Sequence, residues 1–115
     1  MGAGFRVGID PTGGPQETPL ITVAGEIDLA AASRLDETLR TAEERSDEVS
    51  VDLSAVDYLD TAGVRVLFDH AVRVRLVLLL APNGIIAPVI ATSGLGRIAT
   101  VRTVQHLAVR CGLRR

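Results

Sequence analysis

The sequence lacks lysine and tryptophan and contains few cysteines and aromatic residues. It has one Cys, one Tyr and two Phe among 115 residues, whereas 47% of its residues are apolar. A single cysteine excludes an internal disulfide. Two histidines, at no recognised metal spacing from it, give no reason to expect a zinc site. The core must therefore be built from Val, Leu, Ile and Ala, which suits buried parallel strands covered by helices.

Long hydrophobic runs are also missing. The longest one, residues 76–81, is far shorter than the roughly 20 residues that a membrane-spanning helix requires. The first ten residues do not have the charged and then apolar layout of a signal peptide. We therefore expect no membrane association and predict a single cytoplasmic domain over residues 1–115.

The C-terminal part of the chain lacks acidic residues. Residues 1–69 contain all 14 acidic residues and five arginines, whereas residues 70–115 contain seven arginines. A basic region can bind nucleic acid, but these arginines are scattered, without interleaved aromatic residues or a known motif. We interpret them as surface charge and expect no direct nucleic-acid binding.

The apolar patterns predict alternating strands and helices. Strands are expected at residues 5–9, 20–24, 49–53, 76–80 and 98–101. Helices are expected at residues 29–45, capped by Asp28, from Asp60 to about Ala71, at residues 85–92, and at the C-terminus with Val104, Leu107, Ala108 and Cys111 inside. The charged face of the first helix is expected to be solvated, with Asp36 and Arg40 paired.

This order of elements predicts a single α/β domain. Because strands joined by helices run parallel, we expect a mixed, mostly parallel sheet of about five strands with about four helices. The continuously apolar segment 76–80 is typical of a strand buried on both faces, and we expect it at the centre of the sheet.

The segment Asp60-Thr61-Ala62-Gly63 is the one place where chemistry is expected. Open α/β sheets place their sites where strands end and helices begin. At a helix start, the positive end of the helix dipole and the unpaired N–H groups favour a phosphate on the Thr61 hydroxyl. That phosphate adds nearly two negative charges beside Asp60, which would repel a partner matched to the neutral hydroxyl. Gly63 and Ala62 keep the helix start narrow, so that a bulky side chain there should obstruct docking.

Two other interpretations of this segment remain open. Asp60 or Thr61 can simply cap the helix, and spacing alone favours that interpretation. A hydrolase or phosphatase with Thr61 as nucleophile needs a base, but His70 is expected more than about 10 Å away along the helix.

Three segments together resemble the STAS-domain family of anti-sigma-factor antagonists. They are GEIDLA at residues 25–30, VDLS through DTAG at residues 51–63, and TSGL at residues 92–95. The family commonly has a serine where this chain has Thr61, and a second hydroxyl where it has Ala62. The link from the second helix to the strand at residues 76–80 is also shorter than usual.

The resemblance implies a non-enzymatic switch without catalytic residues, metal or cofactor. Thr61 corresponds to the phosphoacceptor, Asp60 and Gly63 to its neighbours in the motif, and Asp28 to an acidic residue facing it; Ala62 and Val64 complete the expected partner surface. The unphosphorylated protein would bind an anti-sigma factor, often itself the ATP-dependent kinase, and a metal-dependent phosphatase would reverse the phosphorylation. The expected form is a monomer or weak homodimer, and the alternative is a STAS scaffold or transporter-associated subunit without phosphorylation.

Overall fold

The structure, a computed structural model, describes the backbone of residues 5–10 and residues 18–82 and 84–104 in full. The strands are β1 (Phe5–Asp10), β2 (Leu20–Ile27), β3 (Glu48–Leu59), β4 (Arg75–Leu80) and β5 (Thr100–Thr103). The helices are α1 (Leu29–Glu43), α2 (Thr61–Ala71) and α3 (Ala87–Ser93), followed by a 3₁₀ turn at Leu95–Arg97. This order confirms the predicted one as far as β5. The predicted last helix lies outside the described residues from position 105 onward.

The five strands form one sheet in the order β1-β2-β3-β4-β5. The strand β1 is antiparallel to β2, and the other neighbours are parallel, which confirms the predicted mixed, mostly parallel α/β fold. The prediction that residues 76–80 form the central strand is wrong, because β3 occupies the centre. Leu76 and Leu78 in β4 are nevertheless buried: a continuous apolar run indicates burial on both faces, not position in the sheet.

The central strand β3 is also longer than predicted and continues through residues 54–59 without a turn. Its register with β2 shifts twice, and Gly25 at the second shift has a φ of 98°, a conformation that favours glycine. Near the first shift, one Asp52 carboxylate oxygen accepts hydrogen bonds from the Ser54 N–H (2.9 Å) and hydroxyl (2.6 Å). These irregularities interrupt the period-two pattern on which the sequence prediction depended.

The third helix has one buried and one exposed side. Ile86, just before α3, and Ile90 are buried, whereas Ile85 and Val89 are 65% and 36% exposed. The helix ends at Gly94, whose φ of 81° is the left-handed conformation that glycine adopts at helix ends. In the part of the chain that is described, no helix is long and apolar enough to cross a membrane.

The fully buried His70 links α1 to α2. Its Nε2 lies 2.6 Å from Asp36 Oδ1, its Nδ1 contacts Glu43 Oε2, and Arg73 Nη2 lies 3.0 Å from the same Nδ1. Asp36 also pairs with Arg40 at 3.1 Å, as predicted. The prediction of a solvated charged face is wrong for Glu43, because that side chain is only 14% exposed against α2.

This cluster predicts acid-sensitive stability. Burial alone raises the pKa of Asp36, but hydrogen bonds and charge from His70 and Arg40 outweigh it, so that the pKa lies below its usual value. A carboxylate with a lowered folded-state pKa stabilises the fold above its unfolded pKa of about 3.9, and that stabilisation is lost as pH falls through the folded value. Asp36→Asn should therefore lower the free energy of unfolding by about 1.5 to 3 kcal/mol at neutral pH and by less at pH 3. Urea unfolding measures both values.

The matched control is Glu37→Gln, because Glu37 is exposed on the same helix. It should change the free energy of unfolding by less than about 0.5 kcal/mol. A loss in Asp36→Asn that stayed constant between pH 7 and pH 3 would contradict the assignment.

Candidate functional site

The starts of α1 and α2 lie side by side at the carboxyl-terminal ends of the neighbouring parallel strands β2 and β3. The last residues of β2 and β3, Ile27 and Leu59, are paired in the sheet, and each strand leads directly into a helix. The Asp60 N–H donates a 2.9 Å hydrogen bond to the Ile27 carbonyl oxygen. This bond fixes the beginning of α2 against the end of β2.

Both predicted acidic residues cap their helices. Asp28 Oδ1 accepts a hydrogen bond from the Ala31 N–H at 2.9 Å, and Asp60 Oδ1 accepts one from the Thr61 N–H at 2.7 Å. The capping interpretation is therefore confirmed for Asp60 and excluded for Thr61, which is the first residue inside α2. Two carboxylates thus lie at neighbouring helix starts and compensate the positive ends of both helix dipoles.

The Thr61 side chain lies on the exposed side of α2. Its hydroxyl forms no hydrogen bond with any of the residues that the structure describes. Because the capping is supplied by Asp60, a modification of the Thr61 hydroxyl breaks no hydrogen bond among the residues that the structure describes. The position thus has the accessibility that a protein kinase needs.

Gly63 faces inward, beneath the start of α2. A Cβ atom there would lie 2.6 Å from Leu59 Cδ1 and 2.8 Å from Ile27 Cγ2, and both of these side chains are buried. That a side chain at Gly63 would obstruct docking stays a prediction. The structure supplies a second reason for the glycine: it lets α2 approach the ends of β2 and β3.

Ala62 and Val64, both half-buried, lie on opposite sides of Thr61. Val64 and Thr61 border a mostly apolar groove of about 440 Å³ between α2 and α3, with Pro88 and Val89 opposite. Ala62 borders a smaller groove of about 290 Å³ between α1 and α2, together with Leu29 and other residues of the two helices. The predicted site residues therefore form the start of α2 and its two flanks.

Sequence reasoning missed the α3 side of the larger groove. The sequence signal for this side was the apolar segment 85–90. Two of its residues, Ile85 and Val89, are exposed and do not belong to the core. A helical projection of that segment places Ile86 and Ile90 on one face and Ile85 and Val89 on another. It cannot show that the second face adjoins Thr61.

The arrangement does not support a hydrolase. His70 is fully buried and contacts Asp36 and Glu43, on the side of α2 away from the exposed Thr61. Nine residues of helix place it about 13 Å along the axis from Thr61. Across the residues described, no group of three or more His, Cys, Asp or Glu residues is placed to hold a metal ion.

Comparisons with known proteins agree with the geometry. The sequence profile of the STAS domain matches residues 12–108. An anti-sigma factor antagonist from Mycobacterium paratuberculosis is 18% identical, with a TM-score of 0.74 over 94% of this chain and 93% of that one. The anti-sigma factor antagonist SpoIIAA in its unphosphorylated form is 23% identical, with a TM-score of 0.64 over 94% and 96% of the two chains.

A third similar structure is the Bacillus cell fate determinant SpoIIAA in its phosphorylated form. It is 22% identical, with a TM-score of 0.60 over 94% of this chain and 98% of that one. A comparison with curated protein sequences gave no significant match. At these identities the structural likenesses establish a shared fold, and the sequence profile covers most of the chain.

The close approach at Gly63 predicts a loss of stability in Gly63→Ala. Overpacking costs about 1 to 3 kcal/mol, and two contacts below 3.0 Å place this substitution in the upper part of that range. The gain in helix propensity, about 0.8 to 1 kcal/mol, offsets part of the cost. We expect a net decrease of about 1 to 2 kcal/mol in the free energy of unfolding, measured by urea denaturation.

Gly96→Ala is the control, because a Cβ atom there would lie 3.8 Å from Val101 Cγ2, an ordinary contact. It should change the stability by less than about 0.5 kcal/mol. Equal stability of the Gly63→Ala variant and the unmodified protein would contradict the packing described for the start of α2.

Proposed function

We propose that this chain, which belongs to the STAS domain family, is an anti-sigma-factor antagonist switched off by phosphorylation of Thr61. The observation that carries the proposal is the exposed Thr61 hydroxyl, which has no partner in the described structure and lies at the rim of an apolar groove. Two of the similar structures are those of anti-sigma factor antagonists, and one of these proteins, SpoIIAA, has structures in both its unphosphorylated and phosphorylated forms.

In the unphosphorylated state, the start of α2 and its flanks are the proposed docking surface for the anti-sigma factor. Val64 and the exposed side of α3 supply apolar area, which favours association when a partner covers it. Asp28 and Asp60 supply negative charge at the rim, where charge mainly sets orientation and specificity. Ala62 and the neutral Thr61 hydroxyl are small groups, which allow the partner to come into close contact with the start of α2.

Phosphorylation changes this surface mainly through charge. The Thr61 hydroxyl oxygen attacks the γ-phosphorus of ATP held by a partner kinase, ADP leaves, and the hydroxyl proton passes to a base on the kinase. The phosphate adds nearly two negative charges beside Asp60. A partner surface that accommodates a hydroxyl then meets a bulky dianion in an interface that excludes water, where an unpaired charge is costly.

The chain itself needs no catalytic group for this cycle. The kinase supplies the transferred phosphoryl group, and a metal-dependent phosphatase would hydrolyse the phosphothreonine with water. This agrees with the burial of His70 away from Thr61. We therefore propose a non-enzymatic role, as a monomer or weak homodimer.

The phosphorylation itself is tested with the cognate kinase and ATP. We expect intact-protein mass spectrometry to show an increase of one phosphate in the unmodified protein and in Thr92→Ala, but none in Thr61→Ala. Thr92 is the matched control, because it is an exposed threonine bordering the same groove. No mass increase with an active kinase would instead favour a STAS scaffold that is not phosphorylated.

Partner binding is tested with charge variants at the same position. Thr61→Glu should weaken binding of the anti-sigma factor by about tenfold or more, a change of about 1.4 kcal/mol, while Thr61→Ala retains it. Isothermal titration calorimetry measures both affinities, and a pull-down with the unmodified protein and Thr61→Glu as paired baits identifies the partner. Equal affinities of the two variants would count against an electrostatic switch.

A further inference from the structure

We propose that Arg65 binds the phosphate of phosphorylated Thr61 and that α2 thereby carries its own phosphate receptor. This inference rests on the proposed phosphorylation of Thr61. It adds that a side chain of the same helix binds the phosphate. The engagement of that side chain is then a second consequence of phosphorylation.

Arg65 lies on the same exposed ridge of α2 as Thr61. The buried side of the helix is formed by Gly63, Leu67, His70 and Ala71. Thr61 and Arg65 are both exposed and are separated by four residues, which places them one turn apart on the helix surface. The ridge separates the groove beside α3 from the groove beside α1, which Arg65 borders.

The direction of helical side chains brings the two groups together. Each Cα–Cβ bond in an α-helix tilts toward the N-terminus, so that a long side chain covers the turn before its own Cα. A long side chain at position 65 can therefore reach back toward position 61. A negative group four residues before a positive one is also the more favourable order of such a pair.

Arg65 is available for this role because it forms no hydrogen bond or ion pair with any residue that the structure describes. Two nearby arginines are already engaged: Arg40 pairs with Asp36, and Arg73 contacts Glu43 and His70. Two carboxylates border the same groove as Arg65 and compete for it, Asp69 and Asp36. Among the described residues neither forms an ion pair with Arg65, and Asp36 pairs with Arg40 instead.

The chemistry of the two groups is matched. A guanidinium presents a planar set of N–H donors that fits two phosphate oxygens at once, and such charge-assisted pairs are stronger than neutral hydrogen bonds. Phosphorylation then has two effects on the partner-facing ridge: it adds a dianion, and it engages a guanidinium that has no hydrogen-bond or ion-pair partner among the described residues. A partner carboxylate that contacts Arg65 before phosphorylation would lose that contact afterwards.

The test uses phosphothreonine placed at position 61 during translation, so that no kinase is needed. Phosphorus NMR then follows the second ionisation of the phosphate against pH. A neighbouring cation favours the dianion, so the apparent pKa of the phosphate should be about 0.15 to 0.4 unit lower in the phosphothreonine protein that keeps Arg65 than in the one with Arg65→Gln. Raising the salt concentration should reduce this difference.

Two further variants separate Arg65 from general charge. Arg75→Gln removes an exposed arginine at the opposite end of the parallel strands and should leave the phosphate pKa unchanged. Arg65→Lys, which keeps the charge but not the planar donors, should give an intermediate value. The proposal would be overturned if the phosphate had the same pKa with Arg65 and with Arg65→Gln. It would also be overturned if Arg75→Gln shifted this pKa as much as Arg65→Gln does. Because the phosphate is installed without a kinase, a failed kinase assay and a failed titration remain distinguishable.

Discussion

The close packing of α2 against the ends of β2 and β3 is the constraint on which the site depends. Gly63 leaves no room for a side chain between the helix and the pair Ile27 and Leu59, and the Asp60 N–H is bonded to the Ile27 carbonyl oxygen. With the start of α2 held in this way, Thr61 is turned outward while Gly63 is turned inward. The exposure of one residue follows from the burial of the other, because two positions along a helix rotate the chain by more than half a turn.

Helix α2 carries a structural side and a functional side. On the inner side, Leu67 joins the core and His70 contacts two carboxylates of α1, so that the helix is fixed against its neighbours. On the outer side, Thr61 and Arg65 are exposed, and their side chains form no hydrogen bond or ion pair with the residues that the structure describes. A charge can therefore be added on the outer side while the packing stays intact, and the proposed switch requires no change of fold.

Sequence patterns predicted much of this architecture. The stripe of Ala32, Leu35, Leu39 and Ala42 is buried in α1, and Asp28 caps that helix as expected. Thr61 was predicted at a helix start from the local motif, because a strand, a short polar segment and an apolar stripe lie in succession. Each of these features depends on residues close together in the chain.

Features that depend on distant residues could not be predicted. The contact of His70 with Glu43 joins positions 27 residues apart, and nothing in the charged face of α1 shows that α2 will cover its edge. The continuation of β3 beyond Leu53 depends on bulges opposite β2, and the groove beside Thr61 depends on where α3 packs. The order of strands in the sheet is likewise set by these long-range contacts, which is why β4 was wrongly placed at its centre.

The most direct test of the account is the affinity of the anti-sigma factor for two forms of the intact protein, one unmodified and one with phosphothreonine at position 61. Calorimetry at the same salt concentration should give binding to the unmodified form that is tighter by tenfold or more, about 1.4 kcal/mol. Circular dichroism should show the same fold in both. Equal affinities for two equally folded forms would contradict the claim that Thr61 is the switch.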